Sequence, residues 1–236
     1  MSDGLRIEVT IPGTVDDVWP AFRDRSVVRQ WFGWEYAHLD DEIRTIFVDG
    51  TVVEEEGRRL HVGGHRFELE PHGTAQTVVR VTRATPLAAE EMDWDAYYDD
   101  VDEGWLTFLE QLRFAMTHHG AEGAARGIAP RHTVHLDGTA AAPTTVAAAL
   151  GLDVDGPAGS PYRATVAGEE LTGTVWFRSP HQLGLTVDSW GPGLLLLAEA
   201  PNGGGLAASA TLTTYGPIDG DRAARWTGAW RAAYPD

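Results

Sequence analysis

The chain has 236 residues and a formal net charge of −17, with 18 basic residues against 35 acidic ones. A surface this acidic repels phosphate backbones and anionic lipid headgroups, so nucleic acid is not expected as a partner. Every basic residue is an arginine and there is no cysteine, which excludes lysine Schiff bases, thiol catalysis and disulfides.

The first predicted elements are a strand and two short helices. Apolar and polar residues alternate over 6–11, which predicts a strand with one buried face. Thr14 is placed to cap the next helix, and Pro20 is expected to kink or shorten that helix. A second short helix is predicted over about 26–32, ending at Gly33.

A series of hairpins is predicted next. Asp-Gly at 49–50 is a strong signal for a two-residue turn, and Gly-Gly and His-Gly pairs separate the later segments. Apolar residues alternate with charged ones along the fourth segment, so one face of the sheet should be buried and the other wet. The predicted strands are 43–48, 51–55, 60–62, 65–70 and 74–83.

A long helix is predicted to begin at Asp102 or Glu103. Its apolar residues follow the i, i+3, i+4, i+7, i+11 spacing of one stripe facing the sheet. These residues are Trp105, Phe108, Leu109, Leu112 and Met116. The acidic residues 86–103 before the helix are predicted to be a solvated connector. Alternatively, the aromatic residues within them cover a cavity or meet a basic partner. These aromatic residues are Trp94, Tyr97 and Tyr98.

The same layout begins again at Arg131, after a linker predicted over 120–130. Nearly the same number of residues separates Arg6 from Trp105 as separates Arg131 from Trp226, which indicates a duplicated domain. A short helix is predicted over 144–150, and Asp221 is predicted to cap a last helix that buries its two tryptophans. The strands of this half are predicted at 131–136 and at about 162–167, 170–178, 182–188, 194–200 and 206–214.

Four short motifs resemble one protein family in their order and spacing. They are Ile7-Glu8-Val9-Thr10-Ile11-Pro12, Val18-Trp19, Trp31-Phe32-Gly33 and Gly104-Trp105-Leu106-x-Phe108-Leu109-x-x-Leu112. Together they resemble the bacterial activator-of-heat-shock-ATPase homologues of the START (SRPBCC) superfamily. The resemblance covers about 1–119. The second half resembles a diverged copy without the Trp-Phe-Gly segment.

This resemblance implies an α+β helix-grip fold, in which a curved antiparallel sheet wraps a long C-terminal helix around an apolar cavity. The fold would be duplicated, with domains at 1–119 and 131–236 joined by the linker 120–130. The segment between Trp34 and Ile43 is shorter than in the family, which leaves the size of the cavity open.

Members of the superfamily bind or carry lipids, sterols and polyketides, and some catalyse cyclisation. The resemblance therefore implies binding of a small hydrophobic or amphipathic ligand in the cavity. A polyketide aromatase/cyclase-like enzyme and a chaperone-linked protein-interaction module are the alternatives. No cofactor is expected, and a homodimer or a protein partner stays open. With no apolar run of about 20 residues and no signal-peptide pattern, the protein is expected to be cytoplasmic without membrane insertion.

The candidate ligand-binding residues are the aromatic residues of the first half and one leucine. Small-molecule sites are usually apolar with a few polar groups, although a place in the ordinary core is the alternative for each residue. A pocket mouth is expected around 31–34. The candidates are Trp31, Phe32, Trp34, Tyr36, Phe47, Phe67, Trp105, Phe108 and Leu112.

No catalytic or metal-ligating residue is assigned. If the cavity performed chemistry, the polar groups nearest the aromatic residues in sequence would be those of Arg66, Arg80, His61 and Tyr36. His61 and His65 have metal-like spacing only in a helix. A Gly63-Gly64 turn instead sets Val62 opposite His65 and His61 opposite Arg66, so the two imidazoles point to opposite faces.

Overall fold

The computed structural model describes residues 6–54, 56–62, 64–83, 94–126, 130–140, 145–202, 205–216 and 218–235. The chain divides into two compact units between Pro130 and Arg131. Each unit contains one antiparallel sheet and ends in a helix.

The described part of the first unit has five strands: β1 (Arg6–Pro12), β2 (Val52–Glu54), β3 (Arg59–Val62), β4 (His65–His72) and β5 (Gln76–Arg83). They pair in the order β1-β5-β4-β3-β2. The helices are α1 (Val15–Val18), α2 (Pro20–Arg23), α3 (Arg25–Val28), α4 (Leu39–Arg44) and α5 (Trp94–Arg126), with a π-helical turn at Thr45–Asp49.

Six strands are present among the described residues of the second unit: β6 (Arg131–Ala140), β7 (Pro161–Val166), β8 (Glu169–Arg178), β9 (Gln182–Val187), β10 (Gly193–Asn202) and β11 (Gly205–Tyr215). Their order in the sheet is β6-β11-β10-β9-β8-β7. The helices are α6 (Val146–Ala149) and α7 (Gly220–Ala233), with a 3-10 turn at Asp188–Trp190.

Both sheets follow one plan. The first strand of each unit lies beside its last strand, and the sheet then runs back through the chain in order. This topology, with a helix after the last strand, confirms the prediction of a duplicated α+β helix-grip fold.

The core of the first unit lies between its sheet and α5. Alternate residues of β1, β4 and β5 are buried on one face of the sheet, and the predicted stripe of α5 packs against that face. Each fully buried apolar side chain contributes about 1.5–3 kcal/mol. The buried residues of these elements are Ile7, Val9, Ile11, Phe67, Leu69, Val79, Val81, Trp105, Leu109, Leu112 and Met116.

Capping and proline chemistry set the helices after β1. The Asp17 N–H donates to Thr14 Oγ1, and the Asp17 carboxylate accepts from the Thr14 N–H at 2.9 Å, which forms a capping box. Pro20 ends α1 and occupies the first position of α2, where its missing N–H costs no hydrogen bond.

The strand predicted over 43–48 is wrong, because this segment is helical. It comprises the end of α4 and the π-helical turn. Leu39, Ile43 and Phe47 recur every four residues and are all buried, which is the spacing of one helical face. The Gly50 N–H donates to the Thr45 carbonyl at 2.9 Å and closes the turn, so the Asp-Gly pair ends a helix rather than joining two strands.

Helix α5 is longer at both ends than the sequence predicts. It begins at Trp94, within the predicted connector, and continues to Arg126, within the predicted linker. Gly120 has φ 64° and ψ 177° and interrupts the helix, which resumes in an alanine-rich stretch of high helix propensity. The side chains of 94–102 lie outside the described residues. None of the described helices, α5 included, is apolar enough over its length to cross a membrane.

The second unit is closed by α7. Trp226 and Trp230 are buried against the sheet, and Trp230 Nε1 donates to the Asp137 carbonyl of β6 at 2.9 Å. A Cβ on Gly138 would lie 3.1 Å from Cβ of Tyr234, so a larger residue at this position of β6 would be a tight fit. The helix therefore lies directly on the strand.

The cap of α7 differs from the prediction. Asp219, rather than Asp221, is the N-cap residue, and its carboxylate accepts from the Asp221 N–H at 3.1 Å. Asp221 instead lies in the first turn, where a negative charge is favourable next to the helix N-terminus.

We expect Asp219→Ala to lower the free energy of unfolding by about 1 kcal/mol, because a backbone N–H at the start of α7 loses its acceptor. Asp221→Ala is the matched control and should cost less, because it removes only a charge–dipole interaction. Urea unfolding followed by circular dichroism measures both. An equal or larger loss for Asp221→Ala would contradict the assigned cap.

Candidate functional site

Six of the candidate aromatic residues of the first unit pack ring against ring, and we call them the aromatic cluster; Phe22 of α2 packs against two of them. Four elements contribute to the cluster: the segment after α3, the π-helical turn, β4 and α5. The nearest ring centroids are 4.7 Å apart for Phe32 and Phe108 and 4.8 Å apart for Phe67 and Trp105, within the favourable range for aromatic pairs. The members are Trp31, Phe32, Phe47, Phe67, Trp105 and Phe108.

Burial divides the nine candidate residues into two groups. One group is part of the core: Trp31, Phe32, Phe47, Phe67, Trp105 and Leu112. The other group reaches the surface: Phe108 and Trp34 are half-buried, and Tyr36 is 40% exposed. Because Phe108 and Trp34 lie 6.3 Å apart between centroids, the rings continue from the core to the surface without a break.

Phe47 holds a central place in the aromatic cluster. Its ring meets Trp31, Phe32 and Trp105 edge to face, with centroids 5.7, 5.0 and 6.3 Å away. The side chain comes from the π-helical turn, the segment that was predicted to be a strand. A π-helix is a rare conformation that is frequent at functional sites. Phe47 thus fills the space between the early helices and α5.

The hydroxyl of Tyr36 is bound by a neighbouring carboxylate rather than directed at the aromatic cluster. Its hydroxyl donates to Glu42 Oε2 at 2.6 Å. Partial burial and the neighbouring carboxylate raise the pKa of Tyr36 to about 12. The phenol therefore stays protonated and held by Glu42 near neutral pH.

The other polar candidates for chemistry lie on the opposite face of the sheet from the aromatic cluster. They alternate with the buried residues of β3, β4 and β5 and pair with acids instead. Arg80 Nε donates to Glu8 at 2.6 Å, and His61 Nε2 lies 3.2 Å from a Glu54 oxygen. Arg66 pairs with Glu68. These three polar residues are therefore not gathered around the aromatic rings.

The register of β3 and β4 is the predicted one. Val62 lies opposite His65, and His61 lies opposite Arg66, so the two histidines point to opposite faces.

His65 is the polar residue of the site that sequence reasoning missed. It is buried, and its ring lies 5.9 Å from Trp105. The signal was its spacing of two residues from Phe67 along β4, which places both side chains on the same face.

The second unit contains a cavity of about 150 Å³. It lies between the start of α6, the turn from β8 to β9, and the far end of β10. Its apolar wall includes Val146, Leu183 and Leu197, and two charged residues, Arg178 and Glu199, also line it. Burial raises the pKa of Glu199, although the charge of His181 and the Val146 N–H act in the opposite direction.

Among the solved structures that are similar to this chain, two are covered over nearly their whole length. One is DynU16, from the dynemicin biosynthetic locus, with 16% identity, 99% of this chain and 96% of that chain covered, and a TM-score of 0.32. The other is the di-domain ARO/CYC StfQ of the steffimycin biosynthetic pathway, with 12% identity, 95% and 90% covered, and a TM-score of 0.38. No family model and no curated protein matches the chain. At such low identities and TM-scores, the fold rests on the topology of the chain itself.

The ion pairs on the outer face of the first sheet should make the stability of the protein depend on pH. Burial acts to raise the pKa of Glu68, but hydrogen bonds from Arg66 and Arg59 outweigh it and hold the pKa below its usual value of 4.5. A carboxyl with a lowered folded-state pKa stabilises the fold above the unfolded-state pKa. That stability is lost as the pH falls through the lower folded-state value.

We expect Glu68→Gln to lower the free energy of unfolding by about 1 kcal/mol at neutral pH, because two guanidinium groups lose their anionic partner. The difference from the wild type should shrink toward zero at an acidic pH below the lowered pKa of Glu68, where both side chains are neutral. Glu70→Gln is the control, since its side chain is 52% exposed and contacts only Arg80 among the pairs described. Urea titrations at both pH values measure this, and a pH-independent difference would refute the assignment.

Proposed function

We propose that the first unit binds a small hydrophobic or amphipathic molecule against the aromatic cluster. The observation that carries this proposal is the unbroken run of rings from Phe67 and Trp105 in the core to Phe108 and Trp34 at the surface. A half-buried indole at the end of such a run provides a first contact for an apolar ligand, and small-molecule sites are usually lined by apolar and aromatic side chains.

Phe47 would act as the movable wall of this site. It fills the middle of the cluster, yet its backbone belongs to a π-helical turn of five residues rather than to the sheet or α5. Short irregular segments open at lower free-energy cost than core strands and long helices. A ligand that enters past Trp34 would displace the Phe47 ring and take over its edge-to-face contacts.

Binding is better supported than catalysis in this unit. Arg66, Arg80 and His61 lie on the opposite face of the sheet, and Tyr36 is held by Glu42. A cyclase-like reaction would need such groups directed at the ligand, and of the polar groups named above His65 alone lies beside the rings. The chaperone-linked role that the activator resemblance implies stays a separate prediction.

We expect the protein isolated from cells to carry a small molecule that native mass spectrometry detects and that denaturation removes. Trp34→Ala should lose most of this mass, because the first contact of the ligand is removed. Val52→Ala, which truncates a valine that is 65% exposed, is the control and should keep the ligand. A wild-type protein that stays at its apo mass after incubation with mixed lipids and polyketides would refute the proposed function.

Phe47→Ala should lower the free energy of unfolding by about 3–5 kcal/mol, because a large buried ring is removed. It should also bind the amphipathic dye 1-anilinonaphthalene-8-sulfonate at least tenfold more tightly than the wild type, since no ring has to be displaced. Phe177→Ala removes a buried ring from β8 and controls for general loosening. Equal dye binding by the two variants would contradict the role of Phe47.

A further inference from the structure

The cavity of the second unit is lined by two residues of opposite charge that do not form an ion pair with each other. Arg178 and Glu199 both line it, but among the described residues Arg178 has no carboxylate partner. The chain has almost twice as many acids as bases, so an arginine that faces a cavity without an ion pair is notable. Arg178 is exposed to solvent, so its guanidinium lies where the carboxylate of an entering ligand can reach it.

The guanidinium of Arg178 is held in place before any ligand arrives. Its Nη2 donates to the Val154 carbonyl at 2.8 Å, which fixes the plane of the group at the end of β8. A guanidinium carries five N–H donors, so others remain for a ligand. Planar bidentate pairing makes arginine the favoured partner of a carboxylate.

Glu199, on β10, is the second charged residue that lines the cavity. Its side chain is half-buried and accepts a hydrogen bond from the Val146 N–H at the start of α6. Burial disfavours its charged form, so a positively charged group placed beside it would offset that cost. The buried hydroxyl of Tyr234, which has no hydrogen-bond partner among the described residues, lies close enough for the Glu199 charge to raise the tyrosine pKa further, after burial itself.

We propose that this cavity binds a small free amino acid with a compact apolar side chain. The carboxylate of the ligand would pair with Arg178 and its ammonium with Glu199. The apolar side chain would lie on Val146, Leu183 and Leu197. A zwitterion satisfies both charges at once, whereas a simple acid or a simple amine leaves one of them without a counter-charge.

The volume sets the size of the ligand. An apolar cavity of about 150 Å³ holds one benzene molecule, so the present cavity of similar volume suits valine or leucine rather than a large aromatic amino acid. This inference concerns the second unit only and is independent of the ligand proposed for the aromatic cluster.

Isothermal titration calorimetry of the full chain with L-valine and L-leucine tests the proposal. We expect saturable binding of one or both. The analogues 3-methylbutanoate, which lacks the amine of valine, and isobutylamine, which lacks its carboxylate, should bind at least tenfold more weakly. Absence of binding by both amino acids, or equal binding of either analogue, would overturn the proposal.

Variants assign the two charges. Arg178→Gln and Glu199→Gln should each weaken amino-acid binding at least tenfold, and only Arg178→Gln should also abolish any residual binding of 3-methylbutanoate. Arg163→Gln is the matched control, because Arg163 is on β7 of the same unit with a side chain that is 70% exposed. Near-ultraviolet circular dichroism checks that each variant is folded. Unchanged affinity in both cavity variants would overturn the assignment, and the analogue series on the wild type stands if either variant fails to fold.

Discussion

A helix that lays a tryptophan on one face of a sheet is the interaction on which each unit depends. In the first unit, Trp105 of α5 packs on Phe67 of β4, and in the second, Trp226 and Trp230 of α7 close the core. Large aromatic side chains supply much of the apolar area that a unit of this size can bury. The first and last strands of each sheet are neighbours, so the chain leaves the last strand close to the face that this helix covers.

The two units have kept this arrangement and lost most other likeness. The first unit fills its interior with rings, and the π-helical turn that follows α4 supplies Phe47 to that filling. The second unit is built with alanine and leucine around α6 and keeps an open space with charged walls at the end of its sheet. One fold thus offers two surfaces of different chemistry: an apolar run of rings, and a small cavity lined in part by two charged residues.

The fold could be predicted where local signals and tertiary packing agree. The hairpins of the second unit follow from glycine- and proline-rich turns between apolar segments, and the structure has strands there. The strand predicted at 43–48 was wrong because the Asp-Gly signal was given more weight than the four-residue spacing of Leu39, Ile43 and Phe47. The early start of α5 has a similar cause, since Trp94, Tyr97 and Tyr98 already follow helical spacing.

The aromatic candidates were recognised as a set. Which of them reach the surface depends on packing between distant segments, and the pairing of His65 with Trp105 or of Glu199 with α6 has no local signal.

The chain forms α4 and the π-helical turn where a hairpin strand was predicted, and this has a consequence for self-association. It leaves β2, a strand of only three residues, at the far edge of the first sheet. An edge this short exposes few free backbone donors and acceptors, so it is a poor template for another chain to extend. The same segment that closes the interior with Phe47 therefore also protects this edge of the sheet against fibril-like growth.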